Sequence, residues 1–124
     1  MLEREVENLL EQKLRQLGWN IEVGQKNRQV YRQQPRTTDE IDSLKSSGST
    51  KFPDFILYSS ENVNEPIAII ETKRPEYKNL EQAKSQGMAY AKALKARFLF
   101  LYNANRFITY YVPTDENLYI DGVE

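Results

Sequence analysis

The chain has 124 residues, a formal net charge of −1, and neither histidine nor cysteine. It therefore cannot form disulfides, thiolate or imidazole metal sites, or a Ser-His-Asp triad, and any catalysis falls to Asp, Glu, Lys and Tyr. The length predicts a single domain over residues 1–124. No apolar run approaches the ~20 residues of a membrane span and the N-terminus is too charged for a signal peptide, so we expect a soluble, cytoplasmic protein.

The N-terminal part of the chain predicts a helix followed by a strand. Apolar residues recur at helical spacing through residues 2–17, and Gly18 supplies a helix stop. Residues 19–23 alternate in a way that predicts a short strand.

A polar insertion follows at residues 24–50, within which we expect a weak strand near residues 28–33 and one helical turn near residues 39–45. An excursion of this length is often functional, and contact with DNA or a merely variable insertion would both account for it. Residues 24–51 hold six Lys or Arg against three acids, and residues 73–97 hold seven against two. Such basic segments suit a phosphate backbone, although surface solvation explains them equally well.

The centre of the chain predicts a hairpin. Two apolar runs of strand length, residues 51–58 and 67–74, are separated by a polar turn. Asp54 opens the first run, while Glu71 and Lys73 close the second. Because side chains alternate along a strand, Glu71 and Lys73 share one face, and antiparallel pairing brings Asp54 beside them. Two carboxylates and an ammonium thus converge at one sheet edge, which suits a hard cation such as Mg²⁺.

The second half of the chain predicts one more helix and two more strands. Small and apolar residues predict a helix over residues 78–96, able to lie close to a sheet. Residues 97–102 and 106–112 predict strands, and the last dozen residues predict an exposed tail. The predicted fold class is α/β, with a mixed central sheet of four to five strands flanked by helices, in the order α-β-β-β-α-β-β.

Pro53-Asp54 and Glu71-Thr72-Lys73 together resemble the PD-(D/E)XK nuclease superfamily, and the predicted element order is similar to its restriction-endonuclease-like core. The resemblance implies that Asp54 and Glu71 ligate Mg²⁺, for which Mn²⁺ would substitute, with the Thr72 carbonyl as a further oxygen. It also implies that Lys73 positions the water that attacks the scissile phosphate.

The superfamily often supplies another acid from the first helix, where Glu3, Glu5 and Glu7 are the candidates. Glu7 precedes Gly18 by eleven residues, a spacing similar to that of archaeal Holliday-junction resolvases. Helical phase favours Glu3 instead, and all three acids could simply solvate the helix. We take Glu7 as the catalytic candidate.

Gln86 and Tyr90 lie four residues apart on the second predicted helix, so they share one of its edges. This Gln-x-x-x-Tyr pattern resembles the nuclease domain of type I restriction enzyme R subunits, as does the order of segments from Pro53 to Tyr111. The resemblance implies that the pair braces the site or contacts DNA. Further candidates for DNA contact or site support are Arg28, Arg32, Lys51 and Arg74.

The sequence therefore predicts a Mg²⁺-dependent DNA endonuclease domain of a restriction-modification system. Its expected partners are double-stranded DNA and the motor, methyltransferase or specificity parts of a restriction complex. Three alternatives stay open: a non-catalytic DNA-binding or assembly module, a free-standing repair or junction nuclease, and an unrelated α/β binding protein. Sequence specificity and oligomeric state are not predicted.

Overall fold

Six strands form one mixed sheet whose spatial order follows the order of the chain. The computed structural model describes residues 2–24, 27–49, 51–59, 65–76 and 79–120. The strands are β1 (Val30–Arg32), β2 (Phe55–Tyr58), β3 (Pro66–Thr72), β4 (Phe98–Tyr102), β5 (Phe107–Tyr111) and β6 (Glu116–Ile120). The helices in these ranges are α1 (Glu3–Gln16), α2 (Thr38–Ser46) and α3 (Lys84–Leu94), with a 3₁₀ turn at Leu80–Ala83 leading into α3.

The strand directions bring three strand ends to one edge of the sheet. β3 and β4 run parallel, and the other neighbouring pairs are antiparallel. Phe55 at the start of β2 lies opposite Ile70, and Thr72 at the end of β3 lies beside Tyr102 at the end of β4. The carboxyl ends of β3 and β4 therefore meet the beginning of β2.

Helices cover both faces of the sheet. α1 presents an apolar stripe of Val6, Leu10 and Leu14 to the face that carries Ala68 and Ile70. α2 and α3 pack on the opposite face, which carries Ile69 among other residues. Ala68, Ile69 and Ile70 thus enter alternate cores, as predicted, whereas Ile67 packs with the core of Ala68 and not with that of Ile69. No helix in the described ranges is long and apolar enough to cross a membrane.

Gly87 lets α3 lie close to the sheet, as its small size predicts. A Cβ atom at this position would stand 2.6 Å from Leu99 Cδ1 and 3.4 Å from Glu71 Cγ. The helix ends at Lys95, which adopts a left-handed backbone with φ of 60°. The predicted start of this helix, at residue 78, lies outside the described residues.

The predicted α/β class with a mixed sheet is confirmed, and the insertion contains both predicted elements. β1 falls within residues 28–33, but α2 has nine residues rather than a single turn. Thr37 and Glu40 form a capping box at its start, and Leu44 is fully buried on the α3 side of the sheet. These contacts stabilise a helix longer than the polar composition predicts.

Two predictions at the edges of the fold are wrong. Residues 19–23 form no strand, since only Ile21 of the group is buried while Val23 is 81% exposed. The carbonyl of Asn20 instead accepts hydrogen bonds from the N–H groups of Gln29 and Val30. Within the predicted exposed tail, Glu116–Ile120 form β6, which pairs with β5 and gives the described part of the chain six strands rather than four or five; residues 121–124 lie outside the described residues.

Candidate functional site

Asp54 and Glu71 are joined directly at the carboxyl edge of the sheet. Asp54 immediately precedes β2 and Glu71 is the penultimate residue of β3. The Asp54 N–H donates to Glu71 Oε2 at 2.9 Å, and the Thr72 N–H donates to Asp54 Oδ2 at 2.8 Å. The Thr72 hydroxyl donates to the same Oδ2 at 3.2 Å. The antiparallel register of β2 and β3 therefore fixes the Glu71 carboxylate against the Asp54 backbone and the Asp54 carboxylate against Thr72.

Burial makes the Glu71 carboxyl unusually basic. The side chain is only 6% exposed. Burial, followed by the negative charge of Asp54, raises the pKa of Glu71 to about 8, although the Asp54 N–H and the positive charge of Lys73 act in the opposite direction. Glu71 thus holds its proton at neutral pH unless a cation arrives to favour the carboxylate.

Lys73 follows β3 and lies at the same edge. Its backbone N–H donates to the Tyr102 carbonyl at 2.9 Å, which extends the β3–β4 ladder by one residue. Its positive charge lowers the pKa values of Glu71 and Glu3, so this half-buried residue acts on carboxyls from both the sheet and α1. The structure thus brings together the three residues of the predicted hairpin site.

The first turns of α1 add two further carboxylates. Glu3 and Glu7 lie one helical turn apart, and one carboxylate oxygen from each lies within 4.8 Å of the others and of an oxygen of Asp54. Burial raises the pKa of Glu3, an effect that Asp54 and Glu7 reinforce and Lys73 opposes. Glu5 points elsewhere: it is exposed and accepts a hydrogen bond from the Leu2 N–H.

Glu7 is held by two side chains from the insertion. Its Oε1 accepts from Arg32 Nη2 at 3.0 Å and from Gln33 Nε2 at 3.0 Å, and the same Gln33 nitrogen lies 3.4 Å from Oε2. Arg32 also donates to Asn8 and Glu11 on α1. Arg32 therefore supports the α1 carboxylate. Gln33 was not predicted, because nothing in its polar sequence context distinguishes it from Gln34.

Gln86 and Tyr90 approach the carboxylates from α3. Gln86 Nε2 donates to the Tyr90 hydroxyl at 2.8 Å, as their four-residue spacing suggests. Burial raises the pKa of Tyr90, which is 2% exposed, and the negative charges of Glu71 and Asp54 raise it further. The tyrosine hydroxyl thus lies within the electrostatic reach of the site.

The remaining basic candidates lie at different distances from the carboxylates. Arg74 is exposed, and its charge lowers the pKa of Glu3, so it lies at the rim of the site. Lys51 is exposed and precedes Asp54 by three residues. Arg28 lies beyond the opposite end of β1, where its guanidinium lies 4.0 Å from the centroid of the Tyr31 ring. The structure does not bring Arg28 to the site.

Residues 26–122 match a family model described as type I restriction enzyme R protein N terminus (HSDR_N). The chain belongs to this family. The family match includes Asp54, Glu71, Lys73 and the Gln86–Tyr90 pair, whereas α1 with its carboxylates precedes it. No curated protein and no solved structure gives a match to the chain.

The chemistry of these donors fits a hard divalent cation. The clustered ligand atoms are carboxylate oxygens, which Mg²⁺ and Mn²⁺ prefer over nitrogen or sulfur. Negative charges at this edge also repel one another: the charge of Asp54 adds to the effect of burial in raising the pKa values of Glu71 and Glu3. A cation held by these carboxylates would relieve part of that repulsion.

Proposed function

We propose that this chain is a Mg²⁺-dependent DNA endonuclease domain of a restriction system, built on the PD-(D/E)XK pattern. The observation that carries the proposal is the convergence of Asp54, Glu71 and Lys73 at one sheet edge, in a chain of the R-protein N-terminal family. The reaction would be hydrolysis of a phosphodiester bond in double-stranded DNA.

Asp54 and Glu71 would hold the cation, with the Thr72 carbonyl as a further protein oxygen and Glu7 or Glu3 completing the acidic wall. When bound, Mg²⁺ would stabilise the negative charge that develops on the phosphate. To serve as a ligand Glu71 would have to lose its proton, because its raised pKa otherwise keeps the carboxyl neutral near pH 7.

Lys73 would act on the transition state. Its ammonium is close enough to Glu71 and Glu3 to lower their pKa values, so it stands where a phosphate approaching these carboxylates would arrive. A fixed positive charge there orients the attacking water and offsets charge on the phosphorane. Tyr90, with Gln86 bonded to its hydroxyl, would close the site from the α3 side.

DNA would approach the exposed rim of the site. Arg74 and Lys51 are exposed basic residues that lie three positions from Glu71 and Asp54 in the sequence, and each would pair with a backbone phosphate. Family membership makes the motor, methyltransferase and specificity parts of a restriction complex the expected protein partners.

Plasmid cleavage by Lys73→Ala tests the proposal. With Mg²⁺ or Mn²⁺ the variant should lose cleavage by roughly 10²–10³-fold, the usual cost of removing a group that stabilises transition-state charge. Its affinity for Mn²⁺ should stay close to that of wild type, because Lys73 is not a ligand. Lys92→Ala, at an exposed position on α3, is the matched control and should cut normally.

Two results would contradict the proposal. Undiminished cleavage by Lys73→Ala would remove the lysine from the mechanism. Mn²⁺ binding by wild type with no cleavage of any DNA would indicate a non-catalytic DNA-binding or assembly module instead.

A further inference from the structure

Gln33 occupies an unusual backbone conformation beside the site. Its φ of 55° lies in the left-handed region, which a residue with a side chain adopts at a cost of about 1 kcal/mol. It directly follows β1, and its N–H donates to the Asp54 carbonyl at 3.0 Å. The strained residue is therefore bonded to the segment that carries one of the site carboxylates.

The same residue reaches a second site carboxylate with its side chain. The Gln33 amide lies 3.0 and 3.4 Å from the two oxygens of Glu7, a side chain that is only 4% exposed. Arg32, its neighbour, donates to Glu7 Oε1 as well. Two consecutive residues in a regular strand point to opposite faces, so both could not reach one carboxylate. The left-handed turn at Gln33 brings its side chain to the side of Arg32.

Compensation of the negative charge on the buried Glu7 does not require Gln33. Arg32 already forms an ion pair with Glu7 at 3.0 Å, which compensates the charge. Gln33 instead links two residues of the candidate site. Its backbone N–H donates to the Asp54 carbonyl, and its side-chain amide donates to Glu7. The carboxylate oxygens of Asp54 and Glu7 lie within 4.8 Å of one another. Strain of this kind persists where the surrounding contacts maintain it, commonly at functional sites.

We infer that Gln33 is a positioning residue that holds the α1 carboxylate of Glu7 against Asp54 for cation binding. The inference rests on the proposed function, since it assigns Gln33 to the same cation site. It also gives the polar insertion a role, because the insertion supplies both side chains that fix Glu7. The role is one of orientation, exercised through Glu7.

The test is calorimetric titration of Mn²⁺, in the presence of a non-cleavable DNA duplex, into wild type and three variants of the full chain. Gln33→Gly removes the amide and tolerates the positive φ. Gln33→Asn also tolerates this backbone but is too short to reach Glu7, so it separates the amide from the strain. Gln34→Gly is the matched control at the next, exposed position.

Gln33→Gly and Gln33→Asn should each bind Mn²⁺ roughly tenfold more weakly than wild type, the usual effect of removing a group that orients a ligand. Gln34→Gly should match wild type, and the urea midpoints of all variants should stay close together. In a Glu7→Ala background, Gln33→Gly should cause no further loss, because the carboxylate that it orients is gone.

Wild-type affinity in both Gln33 variants would overturn the positioning role and leave the proposed function intact. An undiminished effect of Gln33→Gly in the Glu7→Ala background would also overturn it, since Gln33 would then act by another route. Absence of Mn²⁺ binding in wild type would overturn the proposed function, and the positioning role with it.

Discussion

At the scale of single residues, Glu71 is a site carboxyl whose ionised form is strongly disfavoured by its surroundings. A carboxylate that is 6% exposed and bonded to the Asp54 backbone cannot be solvated by water, and a second carboxylate stands beside it. Without a bound cation, burial and the charge of Asp54 disfavour the ionised form of Glu71. They raise its pKa to about 8, so the carboxyl keeps its proton at neutral pH. The burial that would strengthen the binding of a cation therefore makes the stability of the unliganded protein sensitive to pH.

This shift predicts how the stability of the metal-free protein depends on pH. Between the ordinary pKa of 4.5 and about 8, folded Glu71 retains a proton that the unfolded chain has lost. The free energy of unfolding should therefore fall as the pH rises through this window, by on the order of 5 kcal/mol, and level off above pH 8. Urea unfolding at a series of pH values measures this slope.

Glu71→Gln should remove most of the slope and make the protein more stable than wild type at pH 8. Glu116→Gln, at an exposed position on β6, serves as the control and should keep the wild-type slope. If Glu71→Gln retained the full slope, another group would be responsible and the raised pKa would be wrong.

The residues of the hairpin could be predicted because their roles follow from local spacing. Asp54 directly precedes β2 and Glu71 lies near the end of β3, its antiparallel partner, so alternation and pairing suffice to bring them together. Gln33 could not be found in this way. Gln33 and Glu7 are 26 residues apart in the sequence, and their contact depends on a left-handed backbone at Gln33 that the sequence does not predict.

At the scale of elements, α3 lies close to the sheet at Gly87, beside Leu99 and Glu71. Gly87→Ala would add a Cβ 2.6 Å from Leu99 Cδ1, inside a fully buried cluster. The overpacking costs about 1–3 kcal/mol, whereas alanine in a helix interior gains about 0.5–1 kcal/mol over glycine. The free energy of unfolding should fall by about 1 kcal/mol.

Urea unfolding of a double-mutant cycle checks the cause. In a Leu99→Val background, which shortens the opposing side chain, the same alanine should cost less or become stabilising. Equal costs in both backgrounds would show that the clash with Leu99 does not limit the approach of α3.

The insertion is anchored to the sheet by the buried hydroxyl of Tyr58. This hydroxyl donates to Glu40 Oε2 at 2.8 Å and accepts from the Arg36 N–H at 2.9 Å. Tyr58→Phe would leave a buried carboxylate oxygen without its donor and should lower the free energy of unfolding by about 1–3 kcal/mol. Urea unfolding measures the change.

Tyr102→Phe is the matched control for this experiment. The Tyr102 hydroxyl is buried without a hydrogen-bond partner among the residues that the structure describes. Its removal should be neutral or stabilising. A cost for Tyr58→Phe no larger than that for Tyr102→Phe would contradict the anchoring role of Tyr58.

At the scale of the whole molecule, much of the sheet could be predicted, because β3 and β4 are apolar enough to read as interior strands. β6 could not, since its described residues from Glu116 to Leu118 are exposed and an edge strand needs little apolar burial. The length of α2 depends on its capping box and on the packing of Leu44 in the core on the α3 side of the sheet, and composition alone predicts neither.

The fold brings the candidate site together from four parts of the chain. α1 carries Glu3 and Glu7, the insertion carries Arg32 and Gln33, the hairpin carries Asp54, Glu71 and Lys73, and α3 carries Tyr90. The family match begins after α1 and includes the hairpin residues Asp54, Glu71 and Lys73. Tests of the central claim should therefore start with the hairpin.

The most direct test is calorimetric titration of Mn²⁺, with a non-cleavable duplex present, into wild type, Asp54→Ala and the control Asp42→Ala. Asp42 is exposed on α2, so its loss changes the charge equally without touching the site. We predict that wild type and Asp42→Ala bind Mn²⁺ and that Asp54→Ala, verified as folded by circular dichroism, does not. Absence of binding in wild type, or equal binding by Asp54→Ala, would contradict the cation site and the nuclease function built on it.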